Sequence, residues 1–126
     1  MRLLIVEDND RVREITKNLV QDLATSIYEC RDGAEALSAY TEHRPDWVLM
    51  DIKMGKVDGL TATRQIKATY PEAKIMIVTN YNDDEMREAA RCAGASEYVT
   101  KENLIELRQI LLRGDESHHH SRSNDD

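Results

Sequence analysis

No run of apolar residues in this sequence approaches the roughly 20 that a membrane-spanning helix needs, and Leu3-Leu4-Ile5-Val6 is far too short for the apolar region of a signal peptide. Those absences argue against insertion and export, and the protein is expected in the cytoplasm. Cysteine is scarce: Cys30 and Cys92 lack metal-ligand spacing, which excludes a thiolate zinc site and leaves two reduced thiols in or near the core. Positive charge is in deficit, 17 Lys and Arg against 24 Asp and Glu, with no basic stripe. The electrostatic footprint of nucleic-acid binding is therefore missing. No segment repeats, and 126 residues give room for one domain with a real core, without a second output domain.

What is present is an alternation. Apolar runs alternate with segments of helical period, the pattern of repeated β-α units on a parallel sheet. The first helix is expected to bury Val12, Ile15, Leu19 and Leu23. The second starts at Asp32, with Glu35 completing a capping box, and buries Ala36, Leu37 and Tyr40. The third follows Asp58-Gly59 with Leu60, Thr63 and Ile66 inward, and stops at Tyr70 because the residue before Pro71 avoids helical dihedrals. The fourth spans roughly residues 83–93 and closes on Gly94 in a left-handed conformation; Asn103 with Glu106 caps a fifth carrying Leu104, Leu107 and Leu111.

The runs at Leu3, Trp47 and Ile75 are apolar without a break, as buried central strands are, whereas Ile27-Tyr28-Glu29-Cys30 and Ser96-Glu97-Tyr98-Val99 mix in polar residues and suit the edges. With right-handed crossovers the simplest result is a doubly wound α/β fold of flavodoxin-like type, a five-stranded parallel sheet in order 2-1-3-4-5 with five helices. Met50, Met54, Met76 and Met86 are read as core or near-core filling, and Trp47 as a half-buried packing residue. Residues 114–126 contain no apolar side chain and are expected to form a disordered polar tail; His118, His119 and His120 belong to that tract rather than to a metal site.

Four runs end, at or just past their last residue, on side chains that suit phosphoryl transfer. Leu3–Val6 leads into Glu7-Asp8, Trp47–Met50 into Asp51, Ile75–Val78 into Thr79, and Tyr98-Val99 through Thr100 to Lys101. In an open α/β sheet those ends share one edge, where ligands bind. Together, Glu7-Asp8, Asp51 within Asp51-Ile52-Lys53-Met54-Gly55-Lys56-Val57-Asp58-Gly59, Thr79, and Lys101 within Tyr98-Val99-Thr100-Lys101 resemble the response-regulator receiver domain of two-component signalling, over residues 2–113. The expected receiver unit is 1–113, a stand-alone receiver of chemotaxis type.

Three gathered carboxylates repel one another unless a cation neutralises them, and a donor set made only of oxygens suits a hard ion such as Mg²⁺. Asp8 and Asp51 are expected as direct ligands, Glu7 through water, with Lys53 counted among the metal's neighbours. The resemblance implies that Asp51 is the nucleophile that accepts a phosphoryl group from a histidine kinase or phosphotransfer protein, and that Lys101 and Thr79 contact the phosphoryl oxygens. It also implies that Tyr98 is a switch aromatic that turns inward after Thr79 moves, reshaping a surface of the fourth helix, fifth strand and fifth helix that meets a downstream protein. Such a chain is a signalling switch and not a classical enzyme, catalysing only its own phosphorylation and dephosphorylation. Lys53 and Tyr81, two positions beyond Asp51 and Thr79, are placed to flank the attacking water and set the phosphate's lifetime.

The chain departs from the family at two points. Gly55 stands where receivers usually carry proline, which should leave the loop after Asp51 less restrained. Glu102 follows the lysine where the family usually has a proline in a cis bond. Other readings stay open at this stage. A haloacid-dehalogenase-like phosphatase also uses a strand-end aspartate, but here Lys53 occupies the place of its general acid. A constitutive flavodoxin-like binding module would want a serine- and glycine-rich loop where Glu7-Asp8-Asn9-Asp10 stands. An excised receiver half of a multidomain transcriptional regulator would look the same over these residues.

Overall fold

A computed structural model describes residues 1–113; the expected tail, 114–126, lies outside the described residues. Five strands, β1 (Arg2–Val6), β2 (Ser26–Cys30), β3 (Trp47–Met50), β4 (Ile75–Thr79) and β5 (Glu97–Thr100), form one parallel sheet in the order β2-β1-β3-β4-β5. The helices are α1 (Asp10–Val20), α2 (Ala36–His43), α3 (Gly59–Thr69), α4 (Asp84–Ala93) and a fifth, α5, through residues 104–113. This is the expected α/β arrangement, with polar residues on the two edge strands.

The pleat sorts the core in two. Leu3, Ile5, Trp47, Leu49, Met76, Val78 and Val99 pack against Val20 of α1 and Leu107, Ile110 and Leu111 of α5. Leu4, Val6, Val48, Met50, Ile75 and Ile77 face α2, α3 and α4 through Ala36, Tyr40, Ala62, Ile66 and Ala90. Four consecutive strand residues, Leu3 to Val6, are buried on both faces, each burial stabilising by about 1.5–3 kcal/mol. An unbroken apolar run is what a central parallel strand requires.

The loops at the C-terminal edge end on short acceptor side chains that start the next helix. Asn9 takes the Val12 amide (3.0 Å), Asp58 the Thr61 amide (2.8 Å) and Asp83 the Met86 amide (3.2 Å). At the opposite ends Gly94 adopts φ 107° to close α4, while Arg44, at φ 46°, closes α2 with its guanidinium 4.3 Å from the Tyr70 ring.

Several local expectations are corrected. The buried face of α1 is Arg13, Thr16 and Val20; Ile15 lies on the exposed side, 47% accessible, because the helix is rotated to bring Arg13 under the β1–α1 loop. The capping box at Asp32 does not form: Asp32 caps a 3-10 turn, Gly33–Glu35, and α2 starts after it at Ala36. Similarly, α5 is preceded by a 3-10 turn, Lys101–Asn103. Cys30 is buried, but Cys92 is exposed on α4. Trp47 is buried rather than half-buried, 5% exposed, since β3 is flanked on both sides, and the Lys74 ammonium lies 5.1 Å from its ring. Among the described residues no helix is long and apolar enough to cross a membrane, and no peptide bond is cis, so Lys101-Glu102 is trans.

Candidate functional site

The parallel register brings four strand ends level. Val6 pairs with Met50, Met50 with Ile77, and Thr79 with Thr100, so the residues that follow emerge side by side. The Asp51 amide bonds to the Val6 carbonyl (3.0 Å) and the Glu7 amide to the Cys30 carbonyl (3.0 Å), extending the ladder one residue past each strand. Tight packing behind Asp51 requires Gly59, because an added Cβ would overlap the Asp51 carbonyl.

Glu7, Asp8, Asp51, Lys53, Thr79, Tyr81 and Lys101 line one cleft of about 350 Å³, together with Asn9 and Asn80. Glu7 and Asp51 are buried, Thr79 is buried, and Asp8 and Lys53 are exposed at the mouth. The Lys101 ammonium sits between the two buried carboxylates, 2.9 Å from Glu7 Oε1 and 3.3 Å from Asp51 Oδ2. Asp51 Oδ1 accepts the Ile52 amide (2.9 Å), and Glu7 Oε2 the Asn9 amide (3.1 Å).

Burial is the largest influence on both acids and pushes Glu7 and Asp51 above the ordinary carboxylate range, even though Lys101 pulls each of them down. Burial also works against the Lys101 charge, yet the hydrogen bond to Glu7 and the Asp51 charge hold its pKa above the usual value. Carboxylate oxygens of Glu7, Asp8 and Asp51 lie within 4.8 Å of one another. Of the two ammoniums lining the cleft, Lys101 alone contacts the carboxylates, so the three-acid cluster keeps an excess of negative charge, with oxygen donors alone on offer. That donor chemistry fits a hard divalent cation, with the exposed Asp8 as its entrance side.

The site reaches beyond the cleft through two hydrogen bonds. Thr79 Oγ1 accepts the Tyr81 amide (3.4 Å), and the Tyr98 hydroxyl donates to the Tyr81 carbonyl (2.7 Å). Tyr98 is half-buried under the Arg87 guanidinium, 4.6 Å from the ring centroid, and lines a neighbouring depression between α4 and β5. At the mouth the Lys53 ammonium lies 6.0 Å from the Tyr81 ring. Sequence reasoning gathered the acids, both lysines, Thr79, Tyr81 and Tyr98, but passed over Asn9, Asn80, Arg87 and Arg13. Buried Arg13 donates to the Glu7 carbonyl (2.8 Å) and to Glu29 (2.9 Å), bracing the acidic β1–α1 loop. Its signal was faint: an acid three residues earlier, Asp10, that suits an ion pair along a helix.

The chain is similar to known proteins in sequence and fold. The chain is 33% identical over 117 residues to the response regulator MprA of Mycobacterium sp. (strain KMS), covering 90% of this chain and 51% of that protein. It thus spans about half the length of such relatives. Among solved structures, a LuxR-family two-component response regulator from Aurantimonas sp. SI85-9A1 superimposes with a TM-score of 0.82 at 34% identity, over 89% of this chain and 82% of that one. A LuxR-family DNA-binding response regulator from Staphylococcus aureus gives 0.80 at 26%, over 89% and 96%. The CheX-CheY-BeF3-Mg complex of Borrelia burgdorferi contains a chain with the same fold, at a TM-score of 0.80 and 24% identity over 90% of this chain and 87% of that one. The response regulator receiver domain family matches residues 3–112, nearly the whole described chain, and the protein therefore belongs to the receiver domains of two-component signalling.

Proposed function

We propose that this receiver accepts a phosphoryl group on Asp51 from the phosphohistidine of a histidine kinase or phosphotransfer protein, in the presence of Mg²⁺, and signals by changing its partner-binding surface. The observation that carries the reading is the Lys101 ammonium held between buried Glu7 and Asp51, beside the exposed Asp8 carboxylate. Receiver domains pair with histidine kinases as a family, and the cleft has the acidic cluster typical of a phospho-accepting site.

In the proposed step an Asp51 carboxylate oxygen bonds to phosphorus while the phosphorus–nitrogen bond of the donor breaks, and the imidazole leaves with the electron pair. Lys101 holds one equatorial oxygen and Thr79 another, while the Ile52 amide fixes the orientation of the Asp51 carboxylate. Asp8 and Asp51 would hold Mg²⁺, with Glu7 placed to reach it through water and Lys53 beside it. Bound there, the ion would supply charge neutralisation for the phosphoryl oxygens. Support for the Glu7 role comes from its engagement with Lys101 and the Asn9 amide, which leaves Asp8 the freer ligand.

The receiver unit is taken as residues 1–113, acting in the cytoplasm on a downstream protein through α4, β5 and α5. As the chain covers about half of its relatives, a missing output domain is the second reading. Intact mass measured after incubation with Mg²⁺ and a small acyl phosphate tests the first: one phosphoryl group is expected on the wild type and none on Asp51→Asn. Uptake by that variant at the same site and to the same extent would overturn it.

A further inference from the structure

The loop that follows Asp51 carries Lys53 at the mouth of the cleft and returns to α3 at Asp58 and Gly59. Its two ends are closed on each other by the Gly59 amide, which bonds to the Ile52 carbonyl (2.7 Å). The far end of the loop has a different anchor. The amides of Lys56 and Val57 donate to Asp32, at 2.6 Å to Oδ2 and 3.0 Å to Oδ1, from the turn between β2 and α2. The Gly33 amide in turn donates to the Val57 carbonyl (3.2 Å). Asp32 thus grips, by three hydrogen bonds shared with its neighbour, a segment 24 and 25 residues away that starts on Gly55, the residue with most backbone freedom to lose.

We propose that Asp32 is a positioning residue of the phosphoacceptor loop: its carboxylate holds the segment Gly55–Val57 and so keeps Lys53 and the backbone after Asp51 aligned for reaction. This rests on the phosphoacceptor reading above. The same carboxylate caps its own turn, accepting the Ala34 amide on Oδ1 at 2.8 Å. The Ala34 and Lys56 amides, with that of Val57, hold the carboxyl below the usual carboxylate range, as a group that accepts from all three should be. The two duties are separable. Serine at this position still caps a helical turn but is one carbon too short to span to the loop. Asparagine keeps an oxygen for Ala34 and Val57 and turns an NH₂ donor toward the Lys56 amide, so it loses one grip alone.

The test compares wild type, Asp32→Asn and Asp32→Ser by amide hydrogen exchange, resolved by residue, and by phosphorylation from a small acyl phosphate with Mg²⁺. Exchange across residues 52–58 is expected to quicken in the order wild type, Asn, Ser, while α2 and the sheet keep their protection. The phosphorylation rate at saturating donor is expected to fall roughly three- to tenfold in Asp32→Ser and less in Asp32→Asn. Unchanged exchange at 52–58 in Asp32→Ser overturns the proposal, as does a wild-type rate from a loosened loop. A wild type that takes up no phosphoryl group overturns instead the phosphoacceptor reading, and with it the proposed alignment, while the exchange data still decide the clasp.

Discussion

Asp51 carries its carboxylate where water reaches it poorly, 5% exposed, and needs Lys101 and the Ile52 amide to keep it there. Asp8 has no such shelter, which makes it the ligand whose loss should be felt by a metal and hardly at all by the fold. Asp8→Asn is expected to weaken Mg²⁺ binding tenfold or more, on the order of 1.4 kcal/mol for one lost charged ligand. Calorimetric titration checks it, and unchanged affinity would count against the assignment. Lys53 and Tyr81 stand on either side of the mouth with the ammonium 6.0 Å from the ring, so truncating one opens a path for water. Lys53→Ala or Tyr81→Ala is expected to change the hydrolysis rate of the phosphorylated chain several-fold, a barrier difference of about 1 kcal/mol. Decay followed by mass spectrometry would show it; decay unchanged from wild type in both variants means the water enters elsewhere.

Between β4 and α4, the loop Asn80-Tyr81-Asn82 links the cleft to the outer face. Its Tyr81 amide hangs on Thr79 Oγ1 and its Tyr81 carbonyl holds the Tyr98 hydroxyl, while Arg87 of α4 reaches back to Asn82 (2.7 Å) and over the Tyr98 ring. A hydroxyl drawn toward phosphoryl oxygens would loosen its hold on the Tyr81 amide, and β5 and α4 would respond together. Thr79→Ala is therefore expected to accept the phosphoryl group but to shrink the NMR shift changes of Tyr98 and α4 on phosphorylation. Wild-type-sized changes in that variant would sink the linkage. Helix α4 also depends on its first turn: Asp83→Ala removes the acceptor for the Met86 amide at a cost of about 1 kcal/mol, seen in chemical denaturation.

Over the whole molecule, the buried acids set how stability follows pH. Glu7 and Asp51 have folded pKa values raised above their unfolded ones, chiefly by burial, so they bind protons more tightly in the fold. Their contribution is fully present below the unfolded carboxylate pKa of about 4 and is lost as pH rises through the raised values. Exposed acids such as Asp22, held low by its hydrogen bond to Arg108, act with the opposite sign, giving stability above about pH 4 that is lost on acidification. The difference between wild type and Asp51→Asn cancels the latter. In metal-free buffer Asp51→Asn is expected to melt higher than wild type near neutrality, by roughly 4 to 8 °C per kcal/mol relieved, with the gap closing toward pH 4. Mg²⁺ at a hundred times its dissociation constant should stabilise the wild type by about 2.7 kcal/mol and narrow the same gap. Melting curves with and without the ion check both, and a gap independent of pH and Mg²⁺ would mean the buried charge is not its cause.

The unbroken runs at Leu3, Trp47 and Ile75 marked the central strands, because only a strand covered on both faces can be apolar at every position, the right-handed crossover gave their order, and the residues ending those runs marked which side chains meet. Proline after Tyr70 and glycine after Ala93 marked helix ends for reasons of local backbone geometry alone. The spacing of apolar residues marked the inward faces of α2, α3 and α5, but the face that α1 turns inward was decided by partners far away in sequence: Arg13 is buried, and Ile15 exposed, because Glu29 and the Glu7 carbonyl lie where the α1 face lands. Asp32 looked like the cap of its own helix, and its hold on Lys56 and Val57 came into being only when β2, β1 and β3 were placed side by side. Spacing along the chain encodes contacts within a turn or a strand. The charge state of Glu7 and Asp51, the burial that raises both, and the ammonium that offsets it exist only once four strand ends share one edge of the sheet.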